Sequence, residues 1–294
     1  MNLPINTILH GDSAEVMQSF PDKCIHLTVT SPPYAKMRTY GGHAYTWETF
    51  TSVATQLARI TMEGGVICWV VRNQIVNDRE VLQSEKEKLY FVEELELWPH
   101  QTIIGAPKGV PMPQTSRYAS NFDYVYVLTK GRPRNVNIIR DRRNRLFGEV
   151  KNNRLIRMAN GTARLACGGE YTIAKWGFRS NIWSYATGGT NTATDRVSAE
   201  HPARMGEPLA EDLIISFSKP GDLVFDPFAG AGTTLKMALL NQRQWLGVEI
   251  FDEYVELIEE RMKLAKFQLM ERFLKRSGSE NLEIGKRNSN LLPK

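Results

Sequence analysis

The stretch Leu223-Val224-Phe225-Asp226-Pro227-Phe228-Ala229-Gly230-Ala231-Gly232-Thr233-Thr234 decides the reading of this chain. Residues 223–225 form a short apolar run of strand type, and residues 233–241 have helical spacing. The glycines between them permit a tight turn and let a ligand come close to the backbone. A second strand, Trp245-Leu246-Gly247-Val248-Glu249, ends in an acid 17 positions after Gly232. An acid so placed can accept hydrogen bonds from both ribose hydroxyls of a nucleoside. Alone, the glycine turn would be an ordinary strand-to-helix connection; with the spaced acid it predicts a nucleoside-type cofactor. The loop is not G-x-x-x-x-G-K-[ST], which disfavours a phosphate-cradling site.

Outward from this stretch, strand-type runs occur at 5–9, 25–30, 66–71, 102–104 and 124–128. Helical spacing occurs at 13–19, at 47–63 with Gly64-Gly65 closing it, and at 85–97, 208–218 and 252–275. Strands alternating with helices predict an α/β fold with a doubly wound, mainly parallel sheet. Character changes at Lys130-Gly131-Arg132-Pro133. Residues 131–200 hold thirteen Lys/Arg against five Asp/Glu, a local charge of +8 in a chain of net +5. A basic segment in an otherwise slightly acidic protein is the footprint of a polyanion partner, although a solvated insertion also explains it. The expected organisation is 1–130 and 201–275 as two halves of one domain, 131–200 as a basic insert, and 276–294 as a flexible tail.

Composition is that of a globular protein, with 42% hydrophobic and 23% charged residues. No apolar run approaches the roughly 20 residues of a membrane span. The start, Met1 to Asn6, has no basic region followed by an apolar stretch, so no secretory leader is expected. Cys24, Cys68 and Cys167 have neither metal nor disulfide spacing and are expected to be reduced thiols. No metal is expected.

A second motif, Thr30-Ser31-Pro32-Pro33-Tyr34, ends a predicted strand, where ligands bind in open α/β sheets. Proline has no N–H, so this loop offers carbonyl acceptors, a serine hydroxyl and an aromatic face. Such a site suits an exocyclic amino group, which presents two N–H donors. Acceptors holding both hydrogens favour a pyramidal, nucleophilic nitrogen able to attack a methyl sulfonium in line. The aromatic face of Tyr34 would hold a base flipped from a duplex. A strand merely terminated by proline is the plainer alternative.

These motifs, in this order, resemble the β group of bacterial and phage DNA amino-methyltransferases, in which the catalytic motif precedes the cofactor motif. The resemblance covers most of the chain apart from the basic insert and the tail. It implies a Rossmann-like fold dependent on S-adenosylmethionine, with the insert as target-recognition region. It also implies transfer of a methyl group to an exocyclic amino group in double-stranded DNA, with base flipping, in a bacterial or phage-infected cytoplasm. The catalytic residues would be Ser31, Pro32, Pro33 and Tyr34. The cofactor would lie against Asp12, His201, Asp226, Pro227, Phe228, Ala229, Gly230, Gly232, Thr233 and Glu249. Arg140, Arg142, Arg143, Arg145, Lys151, Arg154 and Arg157 would contact DNA. The segment Met205-Gly206-Glu207 departs from the family, where relatives often carry Phe-Pro or Gln-Lys. Ser-Pro-Pro-Tyr is the form usual in cytosine-N4 enzymes, so N4-methylcytosine is the expected product, with adenine N6 as alternative. A catalytically inactive DNA-binding version, or an enzyme acting on RNA or protein amides, are the rival readings. Dimers are common among such proteins. The helix at 252–275 has an apolar face that would suit a second copy or the protein's own sheet. A cognate restriction endonuclease is the other partner the resemblance allows. Trp176, Phe178 and Trp183 would stack on bases or form a small local core.

Overall fold

The computed structural model describes residues 3–33, 45–109, 115–118, 120–151, 155–165, 170–185, 193–195 and 205–289. In chain order the elements are β1 (Thr7–His10), α1 (Ser13–Gln18), β2 (Ile25–Thr30), α2 (Trp47–Ile60) and β3 (Thr61–Val71). A two-residue hairpin pair follows, β4 (Ile75–Val76) and β5 (Arg79–Glu80). Next come α3 (Gln83–Leu89), which continues as one π turn (Tyr90–Glu94), then β6 (Trp98–Pro107) and β7 (Asp123–Thr129). Short strands β8 (Arg140–Arg143), β9 (Val150–Lys151), β10 (Leu155–Arg157), β11 (Ala163–Leu165), β12 (Tyr171–Thr172) and β13 (Trp176–Phe178) fill the basic region. The chain closes with β14 (Ile182–Tyr185), α4 (Glu207–Phe217), β15 (Leu223–Asp226), α5 (Thr233–Leu240), β16 (Gln244–Glu249) and α6 (Asp252–Ser289).

Eight strands form one sheet in the order β1-β16-β15-β2-β3-β7-β6-β14. Only β7 runs against its neighbours β3 and β6; the other pairings are parallel. Side chains alternate strictly across it. Val66, Cys68 and Val70 of β3 pack with α4, α5 and α6, whereas Ile67, Trp69 and Val71 pack with α2 and the π turn. This period of two, with both faces covered by helices, makes the strands apolar throughout. Gly247 sits where a side chain would not fit: a Cβ there would lie 2.7 Å from Leu235 and 3.0 Å from Ile8.

Two features of the sequence reading need correction. Gly64-Gly65 does not close α2, which ends at Ile60; both glycines lie inside β3. Gly64 adopts a φ of +73°, and the β2–β3 register shifts there, so the glycines form a bulge rather than a helix stop. The final helix does not end at 275. It continues to Ser289, because Gly278 and Gly285 are tolerated within it and no proline occurs before Pro293.

The chain separates into two compact units, Met1–Asn137 with Ile182–Lys294, and Ile138–Asn181. The second unit is narrower than the 131–200 segment read from charge. The reason is hydrogen bonding: Asn137 N–H donates to Ser216 O at 2.7 Å, and β14 joins the main sheet beside β6. Trp183 on β14 is accordingly buried in the large core and forms no part of the basic region. Within the second unit, β8 pairs with β13, β9 with β12 and β10 with β11, all antiparallel. The pairs nest, so the unit is one long interrupted hairpin.

A charged network lies inside the large unit. Lys236 of α5 and Arg261 of α6 are each 1% exposed. Lys236 Nζ donates to Asp195 at 2.6 Å and Glu207 at 2.7 Å; Arg261 donates to the same two acids at 2.9 and 2.7 Å. Two cations thus share two anions, and α4, α5 and α6 are tied at one point. Breaking such a set leaves an uncompensated buried charge. Arg261→Met is expected to lower unfolding free energy by roughly 3–5 kcal/mol, measured by urea denaturation followed by circular dichroism. A loss under about 1 kcal/mol would show that the network is inconsequential.

Candidate active site

Four parallel strands, β1, β16, β15 and β2, present their carboxyl ends side by side. From β2 the chain proceeds to β3 on one side; from β15 it proceeds to β16 on the other. The β15/β2 boundary is therefore the topological switch point, where open α/β sheets bind ligands.

At that boundary Thr30 Oγ1 donates to Asp226 Oδ1 at 2.6 Å, with both groups buried. Phe228 N–H donates to the same oxygen at 3.1 Å, and Thr234 Oγ1 donates to Val29 O at 3.0 Å. The two motifs of the sequence are thus bolted together at their roots. Burial is the main influence on Asp226 and pushes its carboxyl up to about 7, against the pull of the Thr30 and Phe228 donors. The loop after β15 is anchored by Ser13 Oγ donating to Pro227 O, and by Ala229 N–H donating to Val248 O at 3.0 Å. Gly232 has a φ of +71° and starts α5. Thr233 Oγ1 accepts from Arg261 at 3.1 Å, and Ala231 O from the same guanidinium at 2.5 Å. The buried network therefore reaches the back of the glycine loop.

Glu249 ends β16 and is 7% exposed. Its Oε2 accepts from Gly230 N–H at 2.8 Å, and its Oε1 from Ile250 and Phe251 N–H at 3.0 and 3.1 Å. Burial raises its carboxyl above the usual range, opposed by these three donors. Asp12 caps α1, its Oδ1 accepting from Ala14 and Glu15 N–H at 2.9 and 3.1 Å. Gly11 N–H donates to Glu249 O at 2.9 Å, which sets Asp12 next to the acid.

Ser31, Pro32 and Pro33 leave β2, and Pro32 is buried. Beside them lies a small open cleft lined by Pro32, Pro33, Arg72, Gln74, Gln83 and Glu87 among others. Arg72 Nε donates to Asp123 at 2.8 Å, so this arginine is paired and half-buried. Tyr34, His201 and Arg154 lie outside the described residues. In the second unit Arg140, Arg142, Arg143, Arg145 and Arg157 are exposed, while Lys151 is half-buried and pairs with Glu149 at 2.8 Å. The Arg140 guanidinium lies 4.1 Å from the centre of the Phe178 ring. Trp176 and Phe178 are exposed.

Several contributors were not assigned from sequence. Thr30 belongs to the Thr30–Tyr34 motif, but its role as a donor to Asp226 has no signal in the sequence. Arg261 and Lys236 carry no motif, and only their burial reveals them. Glu87 reads as one more polar residue on a helix.

This fold is shared with solved DNA methyltransferases. The PvuII DNA methyltransferase (cytosine-N4-specific) superposes with a TM-score of 0.60 at 17% identity, over 90% of this chain and 92% of that one. TTHA0409 from Thermus thermophilus, solved with S-adenosyl-L-methionine, superposes with a TM-score of 0.58 at 24% identity, over 88% of this chain and 95% of that one. The family is shown by sequence. The model of a DNA methylase family, which spans N6 and N4 methyltransferases, matches residues 25–260. The orphan methyltransferase M.BamHII of Bacillus amyloliquefaciens is 37% identical over 246 residues, 84% of this chain and 91% of that protein. The chain belongs to this DNA methylase family.

The raised Asp226 carboxyl gives a signed expectation. Its folded value of about 7 exceeds the unfolded 3.8, so its contribution to stability is fully present below about 4 and is lost as pH rises through 7. Asp226→Asn removes the ionisation and keeps an oxygen for Thr30. Thermal melts from pH 4 to 8 should show the variant gaining on the wild type as pH rises. A constant difference across that range would mean that Asp226 ionises normally.

Proposed function

We propose that this chain transfers a methyl group from S-adenosylmethionine to the N4 amino group of cytosine in double-stranded DNA, on a base turned out of the helix. The observation that carries the reading is the Thr30–Asp226 hydrogen bond, because it holds the Ser31-Pro32-Pro33 loop against the Asp226–Gly232 loop. Donor and acceptor sites of a methyl transfer must be neighbours, and here their loops are joined through one carboxylate oxygen.

The residues present fit the cofactor in kind. Glu249 Oε2 takes one donor and keeps acceptor capacity for a ribose hydroxyl. The glycine turn exposes backbone, and the half-buried Phe228 ring offers an apolar wall. Asp12, Asp226, Pro227, Phe228, Ala229, Gly230, Gly232, Thr233 and Glu249 surround that space in this reading, with His201 on its wall. When bound, S-adenosylmethionine supplies an electrophilic methyl group on sulfonium. The protein's part is positioning. The Ser31 hydroxyl and the Pro32 carbonyl accept the two amino hydrogens and turn the nitrogen lone pair toward the methyl. Pro33 stiffens the loop, and Tyr34 stacks on the base. The exposed arginines of the hairpin 138–181, with Lys151 and Arg154, hold the phosphate backbone, and Trp176 and Phe178 supply stacking faces. A cytoplasmic setting in a bacterial cell goes with this reading.

A second reading, adenine N6, is equally compatible with the family model, which spans both chemistries. The serine at position 31 supports cytosine.

Nucleoside mass spectrometry of DNA incubated with the protein and methyl-labelled S-adenosylmethionine tests the proposal. Label in N4-methylcytosine is expected. Label in N6-methyladenine would replace cytosine by adenine and keep the mechanism; label in RNA alone would overturn the substrate class. Ser31→Ala should abolish most of the transfer and leave DNA binding intact, which separates an enzyme from a binding protein. The hairpin's role has its own measurement. Arg142→Gln, Arg143→Gln and Arg145→Gln together should lower the slope of log affinity against log salt by up to about 3. An unchanged slope would remove these side chains from the DNA interface.

A further inference from the structure

Glu87 is a buried acid that the proposed reaction does not yet use. It stands on α3 and is 2% exposed. Trp69 Nε1 donates to its Oε2 at 2.8 Å, and Gln83 Nε2 donates to its Oε1 at 2.9 Å. No lysine or arginine pairs with it among the described residues. A neutral glutamine would accept from Trp69 equally well and would avoid the cost of burying a charge. The carboxyl therefore asks for a reason beyond packing, and its location supplies one. Glu87 lines the cleft that Pro32 and Pro33 also line.

We propose that Glu87 accepts the proton that the target amino group releases on methylation. The inference rests on the reading of the cleft as the site of the target base. The atoms balance without a further reactant. The amino nitrogen forms its bond to the methyl carbon while the carbon–sulfur bond breaks and its electron pair stays on sulfur. The positive charge now on nitrogen is discharged by loss of one N–H proton to a Glu87 carboxylate oxygen. That acid returns its proton to water once the product leaves the cleft. Each carboxylate oxygen carries only one donor in the structure, so each can still accept.

The electrostatics suit the task. Burial raises the Glu87 carboxyl to about 6, opposed by the Trp69 and Gln83 donors. At neutral pH the group is ionised and is a stronger base than an ordinary carboxylate. The titratable groups that sense it are the phenols of Tyr45, ahead of α2, and Tyr126 on β7; burial holds both above their usual range, hence neutral. Tyr45 Oη is buried with no partner. Of the nearby charges, Arg72 is paired with Asp123, and Glu85 is held by Asn73 at 2.8 and 2.9 Å.

The test is a single-turnover pH–rate profile from pH 5 to 8 for the wild type and Glu87→Gln, with duplex DNA and labelled S-adenosylmethionine. The wild-type rate should fall about tenfold per unit below pH 6. Glu87→Gln should be slower by roughly a hundredfold or more at pH 7.5 and should lose that acidic limb, while its affinities for cofactor and DNA stay unchanged. A variant with wild-type rate, or a slower one that keeps the limb, would overturn the proposal and leave Glu87 as a support for Trp69. Should Glu87→Gln fail to fold by circular dichroism, Glu87→Asp decides: a slower enzyme whose limb moves along the pH axis supports the role, and an unmoved limb overturns it. Failure of the wild type to methylate any DNA would instead overturn the function itself, and that result is read before any variant is made.

Discussion

The hydrogen bond from Thr30 to Asp226 is the constraint on which the rest of the site depends. Two strands that are 196 residues apart in sequence meet at the sheet's switch point, and each ends in a loop with its own chemistry. Backbone pairing alone aligns the strands only to the register of Val224 with Leu27 and Phe225 with Thr28. The side-chain bond extends that alignment past the last ladder pair, to where the loops diverge. It also explains a buried, partner-poor acid. Asp226 receives hydroxyl and N–H donors but pairs with no cation among the described residues, and burial raises its carboxyl to about 7.

The glycine loop is held from behind by a different kind of force. Arg261 donates to the Ala231 carbonyl and to Thr233 while pairing with Asp195 and Glu207. A loop whose glycines adopt left-handed conformations at Gly230 and Gly232 has little intrinsic rigidity. A guanidinium with several donors in a fixed plane supplies the order that the loop's own residues lack. The cost of burying four charges is offset only because each is satisfied by several partners. Part of the stability of α4, α5 and α6 is in this sense tied to the shape of the glycine loop.

How much of this was legible in the sequence follows from which forces are local. The strands and the two loops were readable because apolar alternation, glycine turns and prolines act within a few residues. Gly64-Gly65 misled because a glycine pair reads alike as a helix stop or a strand bulge; the choice is made by the neighbours Lys130 and Arg134, whose backbones bond to Gly64. Trp183 was grouped with the basic segment since charge density runs through position 196, whereas its burial depends on pairing with β6, formed some 80 residues earlier. Lys236, Arg261 and Glu87 were illegible for a similar reason. A charged residue on a helix looks solvated until the tertiary fold encloses it. The two loop motifs are local and legible in the sequence; the side chains that support them are distant and are not.

The hairpin at 138–181 obeys a separate logic, which completes the division of labour. Among its described residues none is a buried hydrophobic core residue, and Leu146, Phe147, Val150, Trp176 and Phe178 are all exposed. Nested two- and three-residue ladders cannot enclose a core, so rings here cannot be hidden and must be covered or used. Arg140 covers Phe178 by lying over its face, a contact that leaves the edge of the guanidinium free of acid. Arg142, Arg143, Arg145 and Arg157 likewise make no ion pair among the described residues; Arg179 with Asp141 and Lys151 with Glu149 are the pairs formed there. Leaving positive charge unneutralised beside exposed rings raises self-repulsion, a penalty that dissolved salt or a bound polyanion relieves.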